Sequence, residues 1–417
     1  MLREIISEAV IALGRNRLRS ALTMLGIVWG IVAVSILLSY GQGFRGVLLD
    51  CFEASGKSLI VAWPGQTSKQ AGGQRAGRRI RLETADVELL RAEATLVRHA
   101  SAESTRWVGV AYGTRVIQSP VRGIEPVYRE IRNDNPREGR WITAEDLQDR
   151  RAVTVLGGRL AERLFGRRTA IGETVQIEGK RFTVIGVVDR KLSFGNYMGP
   201  EEESAYIPYT SAGDLWNNRY LTVIAIDPIA SSMEERAIVQ VRELLSRRHR
   251  FAPDDEQAVE LFGKSEIRPI IDGISIGLQV LLTLIGTLTL AIGGVGVMNI
   301  MLVSVDERIR EIGLRRALGA RRWHVRVQML AEALVITLAG GLLGLIVSPL
   351  VAWGAGTMPL MGPLFQDNSG KGDITLSISY SNVVVSMAIL AIVGVAAGLV
   401  PAFRASRLDP SSALRWE

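Results

Sequence analysis

The chain has 417 residues, 47% hydrophobic and 22% charged, and its mean hydropathy of +0.20 is too high for a protein of this length that is soluble throughout. A formal net charge of +7 would suit nucleic acid, but much of it lies beside long uncharged apolar blocks, where membrane topology accounts for it without a nucleic-acid partner. One cysteine, Cys51, excludes an intrachain disulfide, and three scattered histidines (His99, His249, His324) exclude a metal centre built on His and Cys.

Residues 1–20 begin "MLREIISEAVIALGRN", with Leu2, Ile5, Ile6, Ala9, Val10 and Leu13 at helical spacing and Arg3, Glu4, Ser7 and Glu8 opposite. This predicts an amphipathic helix lying in the membrane interface. Residues 21–40, "ALTMLGIVWGIVAVSILLSY", are long enough for a bilayer core that needs roughly 20 apolar residues. The run is too long for a typical secretory signal and no A-x-A-like site follows it, so it reads as an uncleaved anchor.

Segment 41–274 carries both periodicities. "SLIVAWPG" (58–65) reads as a strand, "TADVELLRAEA" from Thr84 as a capped helix, and "RWVGVAYGTRVIQSPVRGI" (106–124) as paired strands. "ETVQIEGKRFTVIGVV" (173–188) predicts a hairpin turning at Gly179-Lys180, and "SMEERAIVQVRELLSRRH" (232–249) a helix. The expectation is an α+β domain of two subdomains, with a flexible Gly/Lys/Arg stretch at 66–80.

Three further spans are predicted at 275–303, 329–356 and 382–402, leaving a segment 304–328, a short loop 357–381 and a tail 403–417. None contains Lys, Arg or Asp; Glu332 is the one acid, a turn inside the third span, where it is expected to reach the headgroups. Arginines crowd before span one (Arg15, Arg17, Arg19), between spans two and three (Arg308, Arg310, Arg315, Arg316, Arg321, Arg322, Arg326) and after span four (Arg404, Arg407, Arg415). The loop 357–381 offers only Lys371. An arginine at the bilayer centre costs about 2.5–3.5 kcal/mol, so the positive-inside rule puts both termini and 304–328 in the cytoplasm and 41–274 outside. Tyr40, Trp353 and Tyr380 near the outer ends, and Trp323 and Phe403 near the inner ones, suit an aromatic belt. The pairs Gly26/Gly30, Gly340/Gly344 and Gly394/Gly398 are spaced for close helix packing, in a tight bundle or a dimer. The fold class predicted is a membrane protein with four transmembrane α-helices and a large α+β extracytoplasmic domain inserted between helices one and two.

Two fragments mimic phosphate-binding loops. "ASGKS" (54–58) and "FGKSE" (262–266) lack the earlier glycine, which is Cys51 in one and Ala258 in the other, and "GGVGVMN" (293–299) lies inside a span. No nucleophile–base constellation stands out, so no catalytic machinery and no cofactor is expected on this chain.

The segment between spans two and three, "ERIREIGLRRALGA" (307–320), is the least easily explained. Asp306–Arg310 and Glu311–Arg315 are spaced as i, i+4 ion pairs. Ile309 and Ile312 share a face, the apolar stripe then shifts to Leu314, Ala317 and Leu318 with Gly313 at the shift, and Gly319 ends the pattern as a C-cap. This predicts a helical extension of span two, a bend, and a short helix along the inner face of the membrane. The plainer reading is a positive-inside loop whose arginines only meet lipid phosphates, and composition alone favours it.

"DERIREIGLRRALGARRWHV" (306–325) resembles the signature of the FtsX/MacB-like permeases, membrane subunits of a mechanotransmitting class of ABC transporters. "GLVPAFRASRLDPSSALRWE" (398–417) resembles that family's ending, with Pro401, Ala402, Ala405, Leu408-Asp409-Pro410 and Ala413-Leu414-Arg415 in place. The likeness covers the whole chain in layout and is weaker residue by residue in 41–274. It implies a coupling element on Glu307, Arg308, Arg310, Glu311, Ile312, Gly313, Leu314, Arg315, Arg316, Ala317, Leu318, Gly319 and Ala320. Glu311, Arg315 and Arg316 would make polar contacts, and Ile312, Leu314 and Leu318 apolar ones, to a groove of a cytoplasmic ABC ATPase subunit. That subunit, with its ATP and Mg²⁺, is expected on another polypeptide. The resemblance further implies a second permease chain (homodimer or heterodimer of paralogues) in the lipid of a bacterial inner membrane. The activity it favours is efflux, with a periplasmic adaptor and outer-membrane channel where there is an outer membrane. Lipoprotein release and regulation of a cell-wall hydrolase stay open within the family, and a sensor signalling inward stays open outside it.

Overall fold

The structure is a computed structural model that describes residues 17–54, 56, 58–193, 197–365, 370–409 and 413. Residues 1–16 of the expected interfacial helix lie outside the described residues. The chain divides into a helical unit, Met1–Val47 with Asp272–Glu417, and a sheet unit, Leu48–Ile271.

Helix α1 (Arg17–Glu53) opens the described chain, and its last turns belong to the sheet unit. There follow β1 (Ile60–Pro64), α2 (Thr84–Glu93), β2 (Val97–Tyr112), β3 (Arg115–Ile124), α3 (Tyr128–Arg132), β4 (Pro136–Gly139), α4 (Ala144–Gln148), β5 (Val153–Gly157), α5 (Gly158–Phe165), β6 (Thr174–Ile177) and β7 (Lys180–Val188). Then come β8 (Ala205–Pro208), α6 (Tyr209–Ala212), β9 (Val223–Pro228), α7 (Glu234–His249) and β10 (Val259–Gly263). Ten strands make one sheet in the order β10-β1-β9-β2-β3-β8-β5-β7-β4, with β6 pairing β2 and β7. Only β3/β8 and β5/β7 run parallel among these pairs.

Strand β1 is apolar without a break because both of its faces are covered. Ile60 and Ala62 join Leu90 of α2 and Val241 of α7 in one core, while Leu59 and Val61 meet Tyr128, Trp141 and Tyr206 on the other side. A further core gathers Leu160, Phe165, Phe182 and Ile207. The two subdomains expected from the sequence thus share one sheet. Strand β2 joins them, pairing β9 over Val97–Glu103 and β3 over Glu103–Tyr112.

Three local expectations shift. The β6–β7 hairpin turns at Glu178-Gly179, both with positive φ (47° and 81°), and Lys180 already pairs with Ile177. A two-residue turn needs both central residues left-handed, and Lys180 is instead taken up by the ladder. Helix α2 is capped one residue earlier than expected: the Asp86 carboxylate accepts the Glu83 N–H at 2.7 Å. The stretch 66–80 is tied down. Asp255 accepts the Ser68 hydroxyl and the N–H groups of Ser68 and Lys69, at 2.7–3.0 Å.

In the helical unit, α1 is joined by α8 (Arg268–Glu307), α9 (Ile309–Ala317), α10 (Arg322–Ala355) and α12 (Tyr380–Ser406). A small ladder, β11 (Thr357–Pro359) with β12 (Asp373–Thr375), and α11 (Gly362–Phe365) lie between α10 and α12. Helices α1, α8, α10 and α12 are each long and apolar enough to cross a membrane. The 40 residues of α8 measure about 60 Å, twice the hydrocarbon thickness, so it extends well past the bilayer.

The six paired glycines sit where helices of this chain meet. A Cβ at Gly26 or Gly30 would lie 3.6 Å from Gly293 or 2.8 Å from Leu290 of α8. Gly340 and Gly344 press on Ile27 and Ile31 of α1, and Gly394 and Gly398 on Thr337 and Ala333 of α10. Each pair therefore serves one helix crossing, where contact replaces the hydrophobic drive that lipid removes. Asn382 adds a buried bond to Ser39, 3.1 Å long. Glu332 departs from expectation: it does not reach outward but is 1% exposed, inside the bundle.

Candidate functional site

The site is built on α9, the short helix after the second span. Helix α8 stops at Glu307, and Arg308 (φ −109°, ψ 16°) leaves helical geometry, its N–H shared between the carbonyls of Ser304 and Val305. The bend therefore falls at Arg308 and not at Gly313, and span two does not run unbroken into the segment. The same break takes Asp306 and Arg310 off a common face, so Asp306 meets Arg404 of α12 at 3.0 Å in place of the expected i, i+4 partner. Glu307 is exposed beside it.

One face of α9 is built into the bundle. Ile309 and Ile312 are buried, Ile312 to 5% exposure among Met329, Val325 and Ala405. Gly313 is a notch rather than a hinge, because a Cβ there would overlap the Cβ of Ala413. Arg308 Nη1 lies 3.5 Å from Glu332 Oε1 of α10. Arg316 donates to the carbonyls of Ser406 and Leu408, at and beyond the end of α12. Arg326 reinforces that corner, donating to Ser406 Oγ at 3.1 Å with its guanidinium over the Phe403 ring. Arg315 pairs with Glu311 at 2.6 Å and donates to Gln328 at 3.0 Å.

The opposite face is open. Arg310, Glu311, Leu314, Ala317 and Leu318 are exposed, Leu314 by 51% and Leu318 by 81%. Gly319, at φ +98°, closes the helix: its N–H reaches the Arg316 carbonyl and that of Ala320 the Arg315 carbonyl, the paired bonds of a Schellman ending.

The face assignment thus divides the residues singled out in the sequence. Leu314 and Leu318 lie on the exposed face, whereas Ile312 is core and Arg316 is held by the carbonyls of Ser406 and Leu408. Sequence reasoning missed Glu332, Gln328 and Ala413 as members of the site. A lone acid in an apolar span was the available signal for Glu332; the backbone carbonyls that hold Arg316 leave none. Among the described residues, no group of three or more His, Cys, Asp or Glu is placed to hold a metal.

Four spans, a sheet unit carried after the first, and an amphipathic helix clamped at one end of the bundle define a membrane permease scaffold. Residues 20–243 match the MacB-like periplasmic core domain and residues 283–410 the FtsX-like permease C-terminal domain. The chain belongs to the FtsX/MacB-like family of ABC transporter permeases. The macrolide export ATP-binding/permease protein MacB of Bdellovibrio bacteriovorus is 33% identical over 407 residues, covering 97% of this chain and 60% of that protein. Its namesake in Bordetella avium is 31% identical over 417 residues, covering 99% and 60%. The chain therefore spans about 60% of the length of these relatives. The crystallised periplasmic region of MacB from Actinobacillus actinomycetemcomitans is 17% identical, with a TM-score of 0.40 over 52% of this chain and 94% of that one.

Proposed function

We propose that this chain is the permease subunit of a mechanotransmitting ABC transporter, and that α9 is where it receives work from a cytoplasmic ATPase carried on a separate polypeptide. The observation that supports this is the exposed ridge of Leu314, Ala317 and Leu318, flanked by Arg310 and Glu311, on a helix whose other face is clamped by α10 and by the residues after α12. Burying one leucine side chain is worth about 1.5–3 kcal/mol, so two leucines in a partner's groove form a firm anchor. The clamped face lets the helix move only with the bundle.

Two such chains, as a homodimer or as paralogues, pair with two ATPase subunits that hold ATP and Mg²⁺. Closure of the ATPases pushes α9, and the push passes through Arg308–Glu332 into α10 and through Arg316 into α12, as well as along α8. With the termini inside and the sheet unit outside, motion of the sheet unit drives efflux of a substrate gathered there, through an adaptor and outer channel where an outer membrane exists. The names of the relatives, macrolide exporters, support export over lipoprotein release or hydrolase control.

The test is co-purification of the full chain with candidate ABC ATPases, comparing wild type with the double variant Leu314→Ala/Leu318→Ala. Capture and ATPase stimulation are expected to fall together. If both stay at the wild-type level, α9 is not the docking element.

A further inference from the structure

The lysine of "FGKSE", Lys264, is only 4% exposed. It opens a tight turn, Lys264–Glu266, just before α8. Its ammonium donates to the backbone carbonyls of Phe52 and Gly56 and sits 4.9 Å from the centre of the Phe52 ring. Phe52 belongs to the last turn of α1, and Gly56 is the glycine of "ASGKS". The two phosphate-loop fragments of the sequence are thus brought to each other, the lysine of one bound to the glycine carbonyl of the other. Gly56 adopts φ +100°, and a Cβ there would run into the Ile131 carbonyl, so the position is suited to glycine alone.

Around this joint the polar groups are assigned. The Lys264 N–H reaches the Leu59 carbonyl at 3.2 Å, and the buried Glu234 carboxylate of α7 accepts the Ser265 N–H at 2.6 Å. Glu53, Arg132 and Glu201 are the other charged groups that act on the ammonium. A buried ammonium is costly unless its protons find acceptors, and here two carbonyls and a ring face supply them. An apolar side chain in its place would leave two buried carbonyls without a donor, which is the worse arrangement.

The chain passes between its two units twice, after Val47 and after Ile271. Lys264 ties the sheet-unit side of one crossing to the sheet-unit side of the other. We propose that Lys264 is a positioning residue that locks the end of α1 to the turn entering α8, so that load arriving along either helix is shared by both. The lock is charge-dependent: an arginine can replace it, whereas a methionine of similar length cannot. It does not depend on which ATPase docks at α9.

Cys51, the chain's one cysteine, lies next to Phe52 and is 3% exposed, so its reaction with a thiol reagent reports opening of this joint. The experiment follows the labelling rate of Cys51 by a small aromatic disulfide in the full chain in detergent, with thermal unfolding of each variant alongside. Lys264→Met is expected to speed labelling about tenfold or more without a matching fall in Tm, and Lys264→Arg to restore the slow rate. If Lys264→Met does not assemble, Phe52→Leu tests the same joint by removing only the ring, and faster labelling at unchanged Tm is again the result expected. Unchanged labelling in the variants, or faster labelling in Met and Arg variants alike with a lowered Tm, would overturn the proposal.

Discussion

Arg308 Nη1 stands 3.5 Å from Glu332 Oε1, and this pair fastens the break before α9 to the third span. Both side chains are largely out of water, Glu332 almost completely. Removing one member of a buried pair strands the other and typically costs about 3–5 kcal/mol. Glu332→Ala is therefore expected to lower the unfolding free energy of the full chain by that order, and Glu332→Gln by clearly less, since the amide still accepts a hydrogen bond. Chemical unfolding in mixed micelles checks it; equal effects of the two variants would mean the charge is unimportant.

The two faces of α9 make opposite predictions. Leu314→Ala and Leu318→Ala, on the open face, are expected to leave stability within about 0.5 kcal/mol of wild type while weakening ATPase capture. Ile312→Ala removes a core side chain and is expected to cost about 2–5 kcal/mol. Thermal melts of the three variants side by side give the comparison.

Gly313 and Ala413 should behave as a coupled pair. Gly313→Ala inserts a methyl group where Ala413 already sits, an overpacking expected to cost about 1–3 kcal/mol and to raise hydrogen exchange in residues 404–409. Adding Ala413→Gly should recover most of that loss, a non-additivity that a hinge at Gly313 would not produce.

A pH response belongs to the sheet unit. Burial pushes the Asp146 carboxyl up, but hydrogen bonds from Arg140 (2.5 and 3.0 Å) and from the Thr143 N–H (3.0 Å) outweigh it and hold it at about 2, below its ordinary 3.8. A depressed folded-state pKa contributes stability that is complete above 3.8 and lost as pH falls towards 2. Between pH 5 and 2.5, Asp146→Asn should flatten the fall in Tm seen in wild type, with the largest difference between the two proteins at pH 5. Parallel pH profiles would remove Asp146 from the account.

Much of this architecture can be read from one-dimensional chemistry. A span needs only enough uncharged apolar residues to match a slab of lipid, so α1, α8, α10 and α12 could be recognised without knowing what packs against them. Gly319 was equally readable, since a left-handed C-cap is a property of one residue's own backbone. Gly313 was not: inside a helix, glycine serves a hinge or a close contact equally well, and Ala413 opposite decides between them.

By itself the sequence determined the four spans, the inserted α+β unit, the amphipathic segment after span two and the end of its helix, because each depends on local composition or local backbone preference. Only the tertiary structure decided that Glu332 turns inward to Arg308, that Ile312 and Arg316 face the bundle while Leu314 and Leu318 face away, and that Lys264 closes on Phe52 and Gly56. Those outcomes depend on partners far along the chain: Arg316 reaches a carbonyl 90 residues away, and Lys264 one 208 residues away. A cation in the sequence shows that it needs acceptors; which acceptors it meets is a matter of three-dimensional packing.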